Sequence, residues 1–195
     1  MRFFRYVYSN DNHFLVGDEL TYGVKKSYYY EKMVDNSKSF INSTNGERVT
    51  YKNFNRFHRK DAAPAITYEV DSNKRQADKD ITRENVFEKV RAAFYEKKPS
   101  RKKCGFACSS VDIALSFEAF LSYDDAKYVQ LVEMEPAGKV NYAECDDEYL
   151  FSDEFESDLS LVDMAHKYWK GEGNKRKELL IEGRFKIIKI IKYIK

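Results

Sequence analysis

The side chains with the clearest chemical potential are cations set among aromatics. Residues 48–60, RVTYKNFNRFHRK, interleave Arg48, Lys52, Arg56, Arg59 and Lys60 with Tyr51, Phe54 and Phe57. Cations meet phosphates and flat rings stack on unpaired bases, so the run fits a single-stranded nucleic acid, with Arg56 and Phe57 at its centre. The commoner fate of such a run is a solvated loop. A second cationic run, Lys175, Arg176 and Lys177, stands directly before Glu178, and both runs favour an anionic partner. Cys104, Cys108 and Cys145 contain no CxxC pair, and His13, His58 and His166 are scattered. Neither metal-ligand spacing nor a catalytic triad is visible, so no metal is expected, and the odd number of thiols points to a reducing compartment. Ser109 with Asp112 fits a helix-capping pattern.

These residues need elements to hold them. In RFFRYVYS, Phe3, Arg5 and Val7 fall on one face and Phe4, Tyr6 and Tyr8 on the other, which is the period of a strand and puts Arg5 on an apolar face. HFLVGDELTYG reads as a second extended piece broken at Gly17-Asp18, while KSYYYEKMV fits strand or helix. Residues 46–80 mix Gly, Asn, Asp, Lys and Arg with few aliphatics and read as an insertion. Thr82 with Glu84 opens a helix expected over 83–97, its apolar face formed by Val86, Val90 and Phe94 and its end set before Pro99. CGFACSSVDIALSF predicts a short buried strand, a turn at the serines, and a helix carrying Ile113, Ala114 and Phe117 inward. YVQLVEME and KVNYAEC predict a hairpin about Pro136-Ala-Gly138. Leu161, Met164, Ala165, Tyr168 and Trp169 lie at helical spacing, stopped by Gly171. ELLIEGRFKIIKIIKYI predicts two strands joined at Glu182-Gly183.

Aromatics make up 15% of the 195 residues, against three Pro and eight Gly, which favours sheets over a helical bundle. Strands broken by separate helices, with no regular βαβ alternation, give the fold class α+β with mixed or antiparallel sheets, in one domain spanning 1–195 with the insertion at 46–80. The formal charge of +2 hides segregation: residues 144–158 hold eight acidic groups and no basic one, and read as a solvated loop or a surface for a basic partner such as an inhibitor. The opening MRFFRYVYSND turns polar too soon for a signal peptide, and no run approaches the ~18 apolar residues of a membrane span. A cytoplasmic protein without a membrane partner is expected.

A first strand with a central Arg, a middle strand-turn-helix ending in an aromatic, and a glutamate opening the last strand pair together resemble the ADP-ribosyltransferase superfamily. KELLIEGRFKIIKII is similar to the family's glutamate followed by two aliphatic strands, with Glu178 in the glutamate's place. GFACSSVDIALSF resembles the middle element, with Phe106 on the strand, Ser109 and Ser110 at the turn, and Phe117 where a stacking Tyr often sits. Arg5 matches the first-strand position in the variant that uses Arg for His. Two departures stand out: Ala114 replaces a frequent Ser, and Arg176 stands two residues before Glu178, where transferases that modify protein arginine usually have Glu or Gln. A guanidinium there repels an arginine acceptor.

The resemblance implies NAD as ADP-ribose donor, Glu178 as the catalytic carboxylate, and Glu182 as its fallback. It implies cofactor contacts from Arg5 to phosphate or ribose, from Ser109 or Ser110 to ribose or carboxamide, and from Phe106 and Phe117 to nicotinamide. With the cationic runs, it implies a nucleic-acid acceptor, RNA or single-stranded DNA, met by Arg56, Phe57, Lys175, Arg176 and Lys177. Bacterial and phage-defence toxins of this kind are paired with an antitoxin, so such a protein partner is implied too. The alternatives are a transferase acting on protein, a relative that takes RNA 2′-phosphate onto NAD, and a non-catalytic interaction module with the same fold.

Overall fold

Alternation along RFFRYVYS builds the first strand, β1 (Phe3–Ser9), with Phe3 and Val7 buried on one side and Tyr6 on the other. Then come β2 (Glu19–Tyr22), β3 (Ser39–Asn42), β4 (Arg48–Thr50), β5 (Tyr68–Glu69), helix α1 (Ser72–Phe94) and β6 (Gly105–Ala107). Helix α2 (Val111–Ser116), β7 (Tyr128–Asp146), a 3-10 turn (Asp147–Leu150), helix α3 (Asp158–Lys170) and β8 (Lys177–Tyr193) complete the order. The computed structural model describes residues 1–27, 30–31, 33–34, 39–42, 48–50, 68–69, 72–118, 126–150, 158–171 and 177–195. The fold is mixed α/β; the elements named among the described residues are a five-stranded antiparallel sheet, a smaller sheet ordered β4-β3-β5, and the three helices above.

The main sheet runs β1-β7-β8-β2, and β6 pairs with β8 ahead of β2 on the same edge. Phe4 and Cys108 then exchange backbone hydrogen bonds of 3.0 and 2.7 Å, which tie β1 to the end of β6. The circuit β1-β7-β8-β6 is thereby closed. It encloses one apolar cluster drawn from all four strands, including Phe3, Val7, Ala107, Met134, Leu179 and Ile181, each large side chain contributing about 1.5–3 kcal/mol when fully buried. On the outer face, α1 and α3 lay Phe87, Val90, Met164, Tyr168 and Trp169 over Cys145 and Leu180. The shorter α2 lays Ala114 over Tyr6, Val129 and Leu131. Among the described residues no helix is long and apolar enough to cross a membrane.

Several expectations are corrected here. The hairpin about Pro136-Ala-Gly138 and the pair of strands joined at Glu182-Gly183 are instead two continuous strands, β7 and β8, paired along their length. Pro136 faces Phe185 and Val140 faces Gly183, so β7 advances four residues while β8 advances two, and the surplus forms a bulge in place of a reversal. Gly183 lies at φ 114°, and a Cβ there would stand 2.9 Å from the Lys139 carbonyl oxygen, which explains the glycine without any turn. Helix α1 starts at residue 72, ahead of the expected 83, because its first turns are polar and show no apolar period. Phe94, placed on its apolar face from sequence, is 68% exposed and packs beside His166 instead. Part of 46–80 folds as β4, β5 and the start of α1; His58 and the rest of that segment lie outside the described residues. The α3 expectation holds in detail: Leu161, Met164, Ala165, Tyr168 and Trp169 are all buried, and Gly171 ends the helix at φ 69°.

Candidate active site

Helix α1 brings Glu84 to the core because Glu84 precedes the buried Phe87 by three residues and shares its face. The loop from α1 to β6 is pinned back onto that helix: Ser100 donates to the Glu88 carboxylate at 2.9 Å, and Arg91 donates to the carbonyls of Glu96 and Lys98. This pinning delivers Arg101 into the interior, where its side chain is 3% exposed. Arg101 Nε and Nη2 donate to Glu84 at 3.0–3.1 Å, and Nη1 donates both to the Tyr168 hydroxyl, at 2.6 Å, and to Glu178 Oε2. Tyr168 donates in turn to Glu178 Oε2 at 2.6 Å. The guanidinium also lies against two rings, 5.2 Å from Phe106 and 5.0 Å from Tyr168.

Glu178 is the second residue of β8 and shares the helix-covered face with Leu180. Its side chain is 17% exposed. Every hydrogen bond it makes among the described residues falls on Oε2, so Oε1 carries none of them. Burial raises the Glu178 carboxyl above the ordinary range, Arg101 and the Tyr168 hydrogen bond oppose the rise, and Glu84 and Asp147 add to it. Burial works against the Arg101 charge too, but Glu178 and Glu84 outweigh it and hold the guanidinium well above its usual value. Burial likewise pushes Cys145 up to about 12 and Cys108 to about 11, and Cys104 rises well above the thiol range. These thiols stay protonated at neutral pH and are poor nucleophiles. The groups assembled here can hold a carboxylate in a fixed orientation and present one of its oxygens.

The residues expected to form one site divide between two faces of the sheet. Phe106 joins Glu178, on the face packed by α1 and α3. Arg5 stands between Phe3 and Val7 on the enclosed face, where Nη1 donates to the Phe106 carbonyl and the guanidinium lies 4.8 Å over the Tyr22 ring. Its work there is to clamp β6 and β2 to β1. Ser110 caps α2 by accepting from Ile113 N at 3.3 Å, so the cap falls one residue later than the Ser109 pattern suggested, and Ser109 is exposed. Ile113 is 39% exposed, contrary to the inward placement, while Ala114 alone is buried and Phe117 forms the helix C-cap. Lys177 Nζ donates to the Gly171 carbonyl at the end of α3, where a cation suits the helix dipole. Glu182 accepts from Asn141 Nδ2 at 3.5 Å and forms no ion pair among the described residues. Arg56, Phe57, Lys175 and Arg176 lie outside the described residues.

Sequence reasoning missed Glu84, Arg101 and Tyr168 as site residues. Tyr168 reads as core, Glu84 as an ordinary first-turn acid, and Arg101 stands out by no spacing at all. The usable signal was Glu84 itself, an acid on the same helical face as Phe87, which requires a buried cation.

A family model described as "protein of unknown function" and designated DUF2441 matches residues 6–193, from within β1 to the end of β8. The chain belongs to the DUF2441 family. The matched span of this DUF2441 protein contains Glu84, Arg101, Tyr168 and Glu178. No curated protein matches the chain.

Proposed function

We propose that this DUF2441 protein is an NAD-dependent mono-ADP-ribosyltransferase with an ADP-ribosyltransferase-like fold, and that its acceptor is nucleic acid, RNA before single-stranded DNA. One observation carries the reading: Glu178 is held through Oε2 by Arg101 and Tyr168, with Oε1 free of protein partners among the described residues. A carboxylate fixed in this way accepts a hydrogen bond from a ribose 2′-hydroxyl and sets negative charge beside a developing oxocarbenium ion. The bond from ribose C1′ to the nicotinamide nitrogen breaks, its electron pair leaving with nicotinamide. An acceptor oxygen or nitrogen then bonds to C1′ and loses its proton. Because no reactive thiol is at hand, charge stabilisation fits the site better than covalent catalysis. Phe106 shares the sheet face of Glu178, which supports a role for its ring edge beside nicotinamide, whereas Arg5 on the enclosed face does not fit the role of phosphate anchor beside Glu178.

The acceptor assignment rests on the cations and aromatics of 48–60 and on Lys175 and Arg176 preceding Glu178. A transferase of this kind acting unchecked harms its own cell, so a toxin restrained by an antitoxin, working in the cytoplasm, completes the proposal. The competing reading is a non-catalytic module, with which the engagement of Glu178 Oε2 by Arg101 is also compatible, since paired carboxylates also serve as structural bridges. NAD turnover separates the two. Labelled NAD is incubated with RNA, single-stranded DNA and protein; label is expected on nucleic acid, and Glu178→Gln is expected to lower transfer by on the order of 10²-fold or more. Label on protein removes the nucleic-acid acceptor, and an unlabelled mixture with folded protein removes the transferase.

A further inference from the structure

We propose that Glu84 is a positioning residue for Glu178, acting through Arg101 to fix which carboxylate oxygen Glu178 presents. The inference rests on the transferase reading. A guanidinium is planar, with its donors in a rigid fork. Glu84 takes the edge formed by Nε and Nη2, leaving Nη1 to reach Tyr168 and Glu178. Phe106 and Tyr168 lie against the guanidinium and hold its plane. Arg101 therefore meets Glu178 through one nitrogen only, and only at Oε2. Without Glu84 the freed edge turns to Glu178 and engages both of its oxygens, the bidentate geometry that Arg and carboxylates prefer. The oxygen proposed to meet the ribose is then occupied.

A pair serving structure alone needs no such arrangement, since a buried ion pair gives little net stability over well-packed apolar residues. Here the loop after α1, through Arg101, and α3, through Tyr168, converge on one carboxylate oxygen, and α1 holds the Arg101 fork through Glu84. The groups around Glu178 are Arg101, Tyr168 from α3, Glu84 from α1, Asp147 from the 3-10 turn, and the thiols Cys145, Cys104 and Cys108. The thiols are protonated, so the charges acting on Glu178 are those of Arg101, Glu84 and Asp147. Glu84 opposes ionisation of Glu178. Its removal therefore moves the Glu178 titration to lower pH.

The test uses Glu84→Gln, which keeps the side-chain shape and removes the charge, with folding checked by circular dichroism. The Glu178 carboxyl is followed by ¹³C NMR titration, assigned through Glu178→Gln, beside the pH profile of NAD turnover. The Glu178 midpoint and the acid limb of kcat/KM both move down in pH, kcat falls by about tenfold or more, and KM for NAD changes less than kcat, because the lost ribose contact counts for more in the transition state than in the ground state. An unmoved Glu178 midpoint in folded Glu84→Gln overturns the proposal. Glu84→Asp keeps the charge and withdraws it by one methylene, so its midpoint stays near wild type while kcat falls; full kcat in this variant overturns the proposal even if Glu84→Gln does not fold. Wild-type protein that turns over no NAD defeats the transferase reading instead, and the titration, which needs no NAD, still decides whether Glu84 acts on Glu178.

Discussion

Arg101 and Arg5, both drawn into the packed body of this protein, are satisfied in opposite ways. Arg101, beneath α1 and α3, meets two carboxylates and a hydroxyl. Arg5, on the enclosed face of the sheet, meets a backbone carbonyl and an aromatic ring, and forms no ion pair among the described residues. The first arrangement is a charged cluster that orients an acid. The second is a clamp in which the guanidinium works as a hydrogen-bond donor and a flat surface. The difference teaches that a cation on an apolar strand, the feature that drew attention to Arg5, says less about chemistry than the carboxylates gathered around a cation.

The strongest break in that comparison is Arg101→Met. It leaves Glu178 buried without a counter-charge and Glu84 with only the 3.9 Å contact to Arg83 Nη2, and loss of one partner from a buried pair costs about 3–5 kcal/mol, measurable by urea unfolding. The variant also acquires a steeper pH dependence. With the cation gone, burial raises the Glu178 carboxyl in the folded state unopposed by Arg101, so the native protein holds its proton more tightly than the unfolded chain does. Stability is then fullest below the ordinary carboxylate range and falls as pH rises through the raised value. Equal destabilisation of Arg101→Met at pH 5 and pH 8 contradicts the account of the cluster.

Arg5→Met is expected to cost less, about 1–3 kcal/mol for the hydrogen bond to Phe106 and the contact with Tyr22. Because Arg5 lies across the sheet from Glu178, KM for NAD should hardly change in this variant. A steep rise in KM with normal stability would return Arg5 to the donor site and end the division between the two arginines. Glu178→Gln sharpens the contrast from the other side. Arg101 keeps Glu84, so stability should stay within about 1 kcal/mol of wild type, as at many functional sites, while transfer collapses. If unfolding shows a loss as large as that of Arg101→Met, Glu178 is a structural bridge. The smallest effect belongs to Ser110→Ala, about 1 kcal/mol from the lost helix cap, with NAD turnover intact; reduced turnover there would give Ser110 the ribose contact as well.

Elements with a single strong period were legible in the sequence. The alternation of β1 and the helical spacing of Leu161, Met164, Ala165, Tyr168 and Trp169 in α3 both translate directly into burial. Where two signals compete, the reading failed. Gly138 and Gly183 look like turn residues, but Gly138 lies in the surplus between Pro136 and Val140 and Gly183 faces Val140 across the β7–β8 ladder, where positive φ serves a bulge; a local rule has no view of the partner strand. The site was legible only in part for a related reason. Glu178 can be singled out by the order of elements, but Glu84 and Arg101 gain meaning only once α1 and the loop after it fold back over β8, a meeting that no spacing along the chain encodes.

The bond pair between Phe4 and Cys108 has a consequence for how the chain reaches its native state. Arg5 and Phe106 are 101 residues apart, and Phe14 and Gln130 are 116 apart. Every strand partner of β1 is thus distant in sequence, and closing such long loops precedes any gain from the contacts, which slows assembly. During synthesis β1 leaves the ribosome well before β6 and β7, so an aromatic, apolar strand waits unpaired and open to association with other chains. It becomes a natural target for chaperones that hold extended segments. Glu178, lying beyond both β6 and β7, receives its surroundings only after these have been made, so the site proposed for the transferase cannot assemble on the growing polypeptide before β8 has emerged.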